Sequence, residues 1–202
     1  MIADHYLQPM DFILSWDLWL FRWINGLNFP EPLEFLIILI RNRYLWLPVY
    51  LAIITWVLTK HTSFVSSYLL LFLFSGVIIA DITSSQVFKK WIERTRPCNE
   101  VGLEPHITER ITCRYSYSFP SSHATNHFAI ATLLYGLFGH RHRRWMMWYL
   151  WATMISLAQV YVGVHYPLDI VGGAILGVLL MRAFLALIRY IYGNHEELQV
   201  VL

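Results

Sequence analysis

Long apolar runs broken by short polar clusters set the pattern of this chain. Residues 11–27 place Phe12, Trp16, Trp19, Leu20 and Trp23 at helical spacing, with Asp11, Asp17 and Arg22 elsewhere on the turn. That pattern predicts a Trp-rich amphipathic helix lying in a membrane interface rather than crossing it. Pro30 and Pro32 then break the chain. A short helix to Ile40 follows, then Arg41 and Asn42-Arg43 at the interface, then a span from about Tyr44 to Thr59. Lys60-His61 is a minimal turn before a second span from Ser63 to about Lys90. Asp81 lies in its later half and reads as a structural hydrogen-bonding group turned toward a neighbouring helix. Residues 97–119 form the longest polar segment. Three more spans follow: Ser121 to Phe138, Trp145 to about Val162, and about Pro167 to Tyr192. The basic turn His140-Arg141-His142-Arg143-Arg144 separates the first two of these. Runs of about 16 to 28 residues are long enough to cross about 30 Å of hydrocarbon. Gly173 and Gly177, four apart, mark a face on which two helices approach closely.

The expected fold is therefore all-α. It is a polytopic helical membrane bundle of about five transmembrane helices with an N-terminal amphipathic interfacial helix. Residues 1–202 form one domain, with 1–32 as the interfacial helix region, 33–192 as the bundle and 193–202 as a polar tail. No internal repeat or low-complexity tract interrupts it.

Composition agrees with this placement. Hydrophobic residues make up 57% of the 202 positions and charged residues only 14%, well below the roughly 25% charged residues of soluble domains. Nine tryptophans and twelve tyrosines suit the two bilayer interfaces. The net charge of +2 comes with no Lys/Arg-rich arm, so nucleic acid is not an expected partner. The first eleven residues carry no Lys or Arg, so no cleavable signal peptide is expected. Cys98 and Cys113 share one polar loop, a pattern compatible with a disulfide in an oxidising compartment and also with two separate thiols.

Counting crossings brings three polar clusters to one face of the membrane: Lys89 to Pro97, Pro120 to His123, and Gln159 through His165 to Asp169. Nine of the fifteen Lys and Arg residues share that face, so the positive-inside rule is confounded by a site that itself requires cations. The residue types fit phosphoryl transfer to a histidine. Asp169, four after His165 and in the first turn opened by Pro167, can fix the imidazole tautomer, leaving the other nitrogen to attack phosphorus. Ser121 is a good N-cap, which offers the Ser122 and His123 amides to an anion. His123 is placed to protonate a leaving oxygen, and Lys89 and Arg96 to neutralise the phosphoryl oxygens. His127, one turn on, reads as a packing residue. Singly, each histidine or lysine has a plainer explanation as a cap or a snorkelling side chain. Their joint occurrence on one face favours chemistry.

Lys89-x6-Arg96-Pro97, Pro120-Ser121-Ser122-His123 and the run from Val160 to His165-Tyr-Pro-Leu-Asp169 resemble the type 2 phosphatidic acid phosphatase superfamily. The resemblance covers residues 89–169 in order. It implies a helical membrane fold and a metal-independent phosphohistidine mechanism without a cofactor. It also implies a lipid phosphate or pyrophosphate substrate, of the polyprenyl pyrophosphate, phosphatidylglycerol phosphate, phosphatidate or lipid A type. For a bacterial inner (cytoplasmic) membrane protein it implies a site facing the periplasm. His165, His123 and Asp169 would be catalytic, and Lys89, Arg96, Ser121, Ser122 and Gln159 would bind the phosphate. Two positions depart from the family pattern. Ser122 replaces a glycine, which spares the backbone amide. Gln159 replaces an arginine, which removes a charge-assisted contact worth a few kcal/mol. Arg94, Arg110 and Arg114 are the candidates to restore that charge. The alternative functions are a lipid phosphotransferase with the same intermediate, or a non-enzymatic lipid-phosphate binding protein.

Overall fold

The computed structural model describes residues 9–101, 107–139 and 142–195. The expected polar tail beyond 195 and the first half of the 140–144 turn lie outside the described residues. Seven helices are used below. α1 is Pro9–Asn25, α2 Glu31–Ile40 and α3 Leu47–Lys60. α4 is Ser63–Ile92, α5 Ser122–Phe138, α6 Met147–Tyr161 and α7 Pro167–Tyr192. Local chemistry fixes their ends. The Thr62 hydroxyl accepts from the Val65 amide and the Ser121 hydroxyl from the Ala124 amide, both at 3.4 Å. Pro167 opens α7, where its missing N–H costs nothing.

The architecture is an all-α membrane bundle. α4 and α7 are each long and apolar enough to cross a bilayer. The segments Glu31–Ile40 and Arg43–Lys60 pass the same test together, bent by 73° at the intervening break. Leu71, Phe74 and Ile78 on α4 and Ile175 and Leu179 on α7 all turn outward, each more than half exposed. Such a face is stable in lipid and costly in water. α5 is the inner helix, packed on α4, α6 and α7, with Leu133, Leu134 and Leu137 meeting Leu69 and Met181 in the main core. The close approach expected at Gly173 and Gly177 is the contact between α5 and α7. A β-carbon on Gly173 would lie 2.6 Å from the Ser121 carbonyl oxygen. One on Gly177 would collide with the Thr125 carbonyl and lie 3.1 Å from the Ala129 nitrogen.

α1 is amphipathic as expected, with its tryptophan face turned away from the bundle. Phe12, Trp16, Trp19 and Trp23 point away from the bundle, each more than half exposed, whereas Asp17, Phe21 and Asn25 are buried. Asn25 accepts from the Thr108 amide and donates to the Thr108 and Tyr161 carbonyls. At the opposite end of the bundle from the polar clusters, Trp56, Phe138 and Trp145 close the core with ring centroids 4.9 to 5.6 Å apart. Asp81 accepts from Asn126 at 2.7 Å, a clasp between α4 and α5. Just beyond it, Thr83–Phe88 winds as a π-helical turn within α4. Cys98 and Cys113 are bridged, with Cα atoms 6.0 Å apart. The bridge packs on Tyr161, Val162 and Val164.

Two outcomes follow from this packing. Gly177→Ala is expected to cost about 1–3 kcal/mol, because the clash is with backbone that a rotamer change cannot relieve. Thermal unfolding in detergent checks it, and an unchanged midpoint would contradict the close contact. Replacing both Cys98 and Cys113 by serine should cost about 3 kcal/mol from the fifteen-residue separation in the chain-entropy model. Mass spectrometry of protein alkylated during lysis tests the bridge itself, since two freely alkylated thiols would refute it.

Candidate active site

Asp169 organises the site. Its side chain is fully buried, a costly position for a carboxylate unless every lone pair is used. Oδ2 accepts from the Tyr166 amide at 2.8 Å and from His165 Nδ1 at 3.3 Å, and Oδ1 accepts from Arg94 at 2.8 Å. Its main-chain carbonyl accepts from the Ser121 amide at 2.9 Å, which joins the start of α7 to the start of α5. With Nδ1 donating to the carboxylate, His165 presents an unprotonated Nε2. Burial pushes the His165 pKa down to about 4, against the opposing pull of Asp169, so the ring is neutral at pH 7.

Arg94 extends this network to α1. Its other Nη reaches Asp17 at 2.5 Å, and the second Asp17 oxygen accepts from the Leu168 amide at 2.8 Å. The guanidinium lies 4.1 Å over the Tyr166 ring, which packs on Phe21. Through Arg94 and Asp17, α1 therefore braces the His165 loop. Asp17 was not singled out from the sequence, although a carboxylate on an otherwise aromatic membrane helix already signals a buried partner.

The remaining cations line the same region. Lys89 is buried and donates to the Tyr117 carbonyl at 2.6 Å. Arg96 is buried and donates to the Ser116 carbonyl at 2.9 Å and the Val164 carbonyl at 3.3 Å. Neither cation has a carboxylate within salt-bridge range among the described residues. Burial holds the Arg96 pKa below its ordinary value; Asp169 opposes this, and the charges of Arg114 and Arg41 add to it. The π-turn just before Lys89 changes the phase of α4, a local distortion often found at functional sites.

At the start of α5, the Ser122 and His123 amides occupy the first two helical positions, which have no intrahelical partner. Ser121 serves differently from the expectation. It is wholly buried, its hydroxyl caps the helix and its amide donates to the Asp169 carbonyl, so both groups are taken up within the protein. The Ser122 hydroxyl accepts from Ser84 of α4 at 3.1 Å. His123 is half-buried and lies within the electrostatic reach of His165, Arg41 and Arg43. His127 donates through Nδ1 to the His123 carbonyl at 2.6 Å and packs on Trp151, which makes it a support for His123.

The arginines proposed to compensate for Gln159 divide sharply. Arg94 is held by two carboxylates. Arg110 is held by Glu34 and by the Asn25, Tyr161 and Leu27 carbonyls, which clamps the 107–116 strand of the loop to α1, α2 and α6. Arg114 is exposed, with its charge acting on Arg96. Gln159 is buried on α6, and its carbonyl oxygen accepts from Arg41 Nε at 3.5 Å. Arg41 was expected to be an interfacial residue.

The three polar clusters thus converge at one end of the bundle, joined by the hydrogen bonds from Arg94 to Asp169, from Arg96 to the Val164 carbonyl and from the Ser121 amide to the Asp169 carbonyl. A family profile described as the PAP2 superfamily matches residues 64–192. The lipid A 4′-phosphatase of Bacteroides thetaiotaomicron is 28% identical over 172 residues, covering 83% of this chain and 75% of that protein. The lipid A 4′-phosphatase of Porphyromonas gingivalis is 28% identical over 175 residues, 84% of this chain and 72% of its own. A crystal structure of a transmembrane PAP2-type phosphatidylglycerolphosphate phosphatase from Bacillus subtilis superposes with a TM-score of 0.66 at 21% identity, covering 90% of this chain and 88% of that one. The profile spans well over half the chain and includes both histidines, and the bundle is the same; this chain belongs to the PAP2 superfamily.

Proposed function

We propose that the chain is an integral membrane phosphatase that removes phosphate from a lipid phosphate or pyrophosphate through a phosphohistidine on His165. The observation that carries this reading is His165 itself. It is buried and neutral, held at Nδ1 by Asp169, and flanked by Lys89 and Arg96, two cations whose only polar partners among the described residues are carbonyls. A site with excess buried positive charge is built to receive an anion.

The sequence of steps follows from the groups present. His165 Nε2 attacks phosphorus, forming the N–P bond as the P–O bond to the lipid breaks. The leaving oxygen takes its proton from His123. Lys89, Arg96 and the free amides at the start of α5 hold the phosphoryl oxygens in both states. Water then attacks the phosphohistidine, with His123 accepting its proton, and breakage of the N–P bond releases phosphate and regenerates His165. Asp169 stabilises the positive charge that His165 carries in the intermediate. The similarity to lipid A 4′-phosphatases and the outward-facing apolar surface support a lipid substrate. The Cys98–Cys113 bridge supports an exported site, because cytosolic thiols stay reduced. We therefore place the protein in the bacterial inner membrane with the site toward the periplasm.

His165→Ala is expected to abolish phosphate release from every member of a lipid phosphate panel. His123→Ala should cost on the order of 10²- to 10⁴-fold with poor leaving groups and much less with an aryl phosphate, whose leaving oxygen needs no proton. Turnover of His165→Ala near the wild-type rate would refute the mechanism.

The acid limb of kcat/KM carries a second test. A nucleophile with its pKa lowered to about 4 is neutral and active above that pH and is lost as pH falls through it. The profile, corrected for substrate ionisation, should hold down to about pH 5. A midpoint at the ordinary histidine value near 6.5 would contradict the neutral, buried His165.

A further inference from the structure

A guanidinium from the chain break between α2 and α3 enters the site where no sequence motif places one. Resting on the phosphatase reading above, we propose that Arg41 is a phosphate-binding residue and that Gln159 is the side chain that aims it.

Three observations converge on this. First, Arg41 Nε lies 3.5 Å from Gln159 Oε1, at the long limit of a hydrogen bond. The contact joins residues 118 positions apart, on two different helical segments. Second, Gln159 is 1% exposed, and its Nε2 has no hydrogen-bond partner among the described residues. A buried amide donor left unpaired costs about 1–3 kcal/mol unless something absent from the protein itself accepts from it. Third, Arg41 has no carboxylate within salt-bridge range among the described residues, and its charge acts on Arg96 and His123. Arg94 and Arg110 are neutralised by Asp17, Asp169 and Glu34; Arg41, half-buried, is not. A cation held near other cations by a neutral amide is stabilised when an anion enters between them. One phosphate oxygen can accept from Gln159 Nε2 while another accepts from Arg41, which satisfies the orphan donor and the repelled cation together.

The 73° break makes this possible. The turn at Arg41 and Asn42, where the Asn42 side chain accepts from the Tyr44 amide at 3.0 Å, leaves Arg41 beside the last turn of α6, where it meets Gln159. Gln159 also holds the His165 loop, since its main-chain carbonyl accepts from the Val164 amide at 3.2 Å. Aiming the cation and placing the nucleophile thus fall to one residue.

The experiment measures phosphate release and, separately, orthovanadate binding as a shift in thermal unfolding midpoint in detergent. Arg41→Ala should lower kcat/KM on the order of 100-fold, mainly through KM, and weaken vanadate binding similarly, because a charge-assisted contact to a phosphate oxygen is made in the bound substrate and in the transition state alike. Arg41→Gln, of similar length and neutral, should behave the same way and guards against a folding defect in the alanine variant. Arg41→Ala combined with Gln159→Arg should recover part of both signals by supplying the guanidinium from α6. Gln159→Glu keeps an acceptor for Arg41 but sets a carboxylate against the phosphate, and should raise KM more than Gln159→Ala. Wild-type KM and wild-type vanadate binding in a folded Arg41→Gln variant would overturn the proposal. If the wild type released no phosphate from any lipid, the phosphatase reading would fail, while the vanadate arm would still decide whether Arg41 binds the anion.

Discussion

A single buried carboxylate holds the working end of this protein together. Asp169 takes donors from an imidazole, a guanidinium and an amide, and its own carbonyl takes a fourth from the start of α5. Removing such a charge from water is repaid only when its oxygens are fully engaged. The carboxylate therefore dictates geometry to everything around it. The His165 tautomer, the register of α5 against α7, and the seat of α1 through Arg94 and Asp17 all follow from where two oxygens must find donors. The glycines at 173 and 177 belong to the same constraint. Without the space they leave, α5 could not approach closely enough for Ser121 to reach the Asp169 carbonyl.

Among the described residues, five basic side chains around the site fall into two groups by what holds them. Arg94 and Arg110 are neutralised by carboxylates and act as tie-rods between elements. Lys89, Arg96 and Arg41 are held only by neutral acceptors: the carbonyls of Tyr117, Ser116 and Val164, and the amide of Gln159. A carbonyl orients a cation without cancelling its charge, so this second group keeps its field for a ligand. Charge alone does not separate these roles. The acceptor does, and acceptors are set by the tertiary structure.

That distinction explains what could be read in advance. Hydrophobic periodicity placed α5 and α7 to within a residue, because apolar runs of that length have few alternatives in a membrane. The pairing of His165 with Asp169, the cap at Ser121 and the close contact at Gly173 and Gly177 are short-range consequences of spacing, and spacing is visible in a sequence. Arg41 was legible only as an interfacial cation: the break after Ile40 is marked in the sequence, but the side chain Arg41 meets there, Gln159, lies 118 positions away. The partners of Asp17 and Asn25 on the inner face of α1 lay equally out of sight, because Arg94, Leu168, Thr108 and Tyr161 come from segments far along the chain.

The π-turn at Thr83–Phe88 has a consequence for how this scaffold can vary. It lies between the contacts of Asp81 and Ser84 with α5 and the contact of Lys89 with the Tyr117 carbonyl. Rewinding it as ordinary α-helix with no change in residue count would rotate one half of α4 against the other by about 100°. One set of contacts or the other would then face lipid. The stretch can therefore change in length only together with its winding: losing one residue and the wide turn at once keeps both sets of contacts, and losing either alone does not.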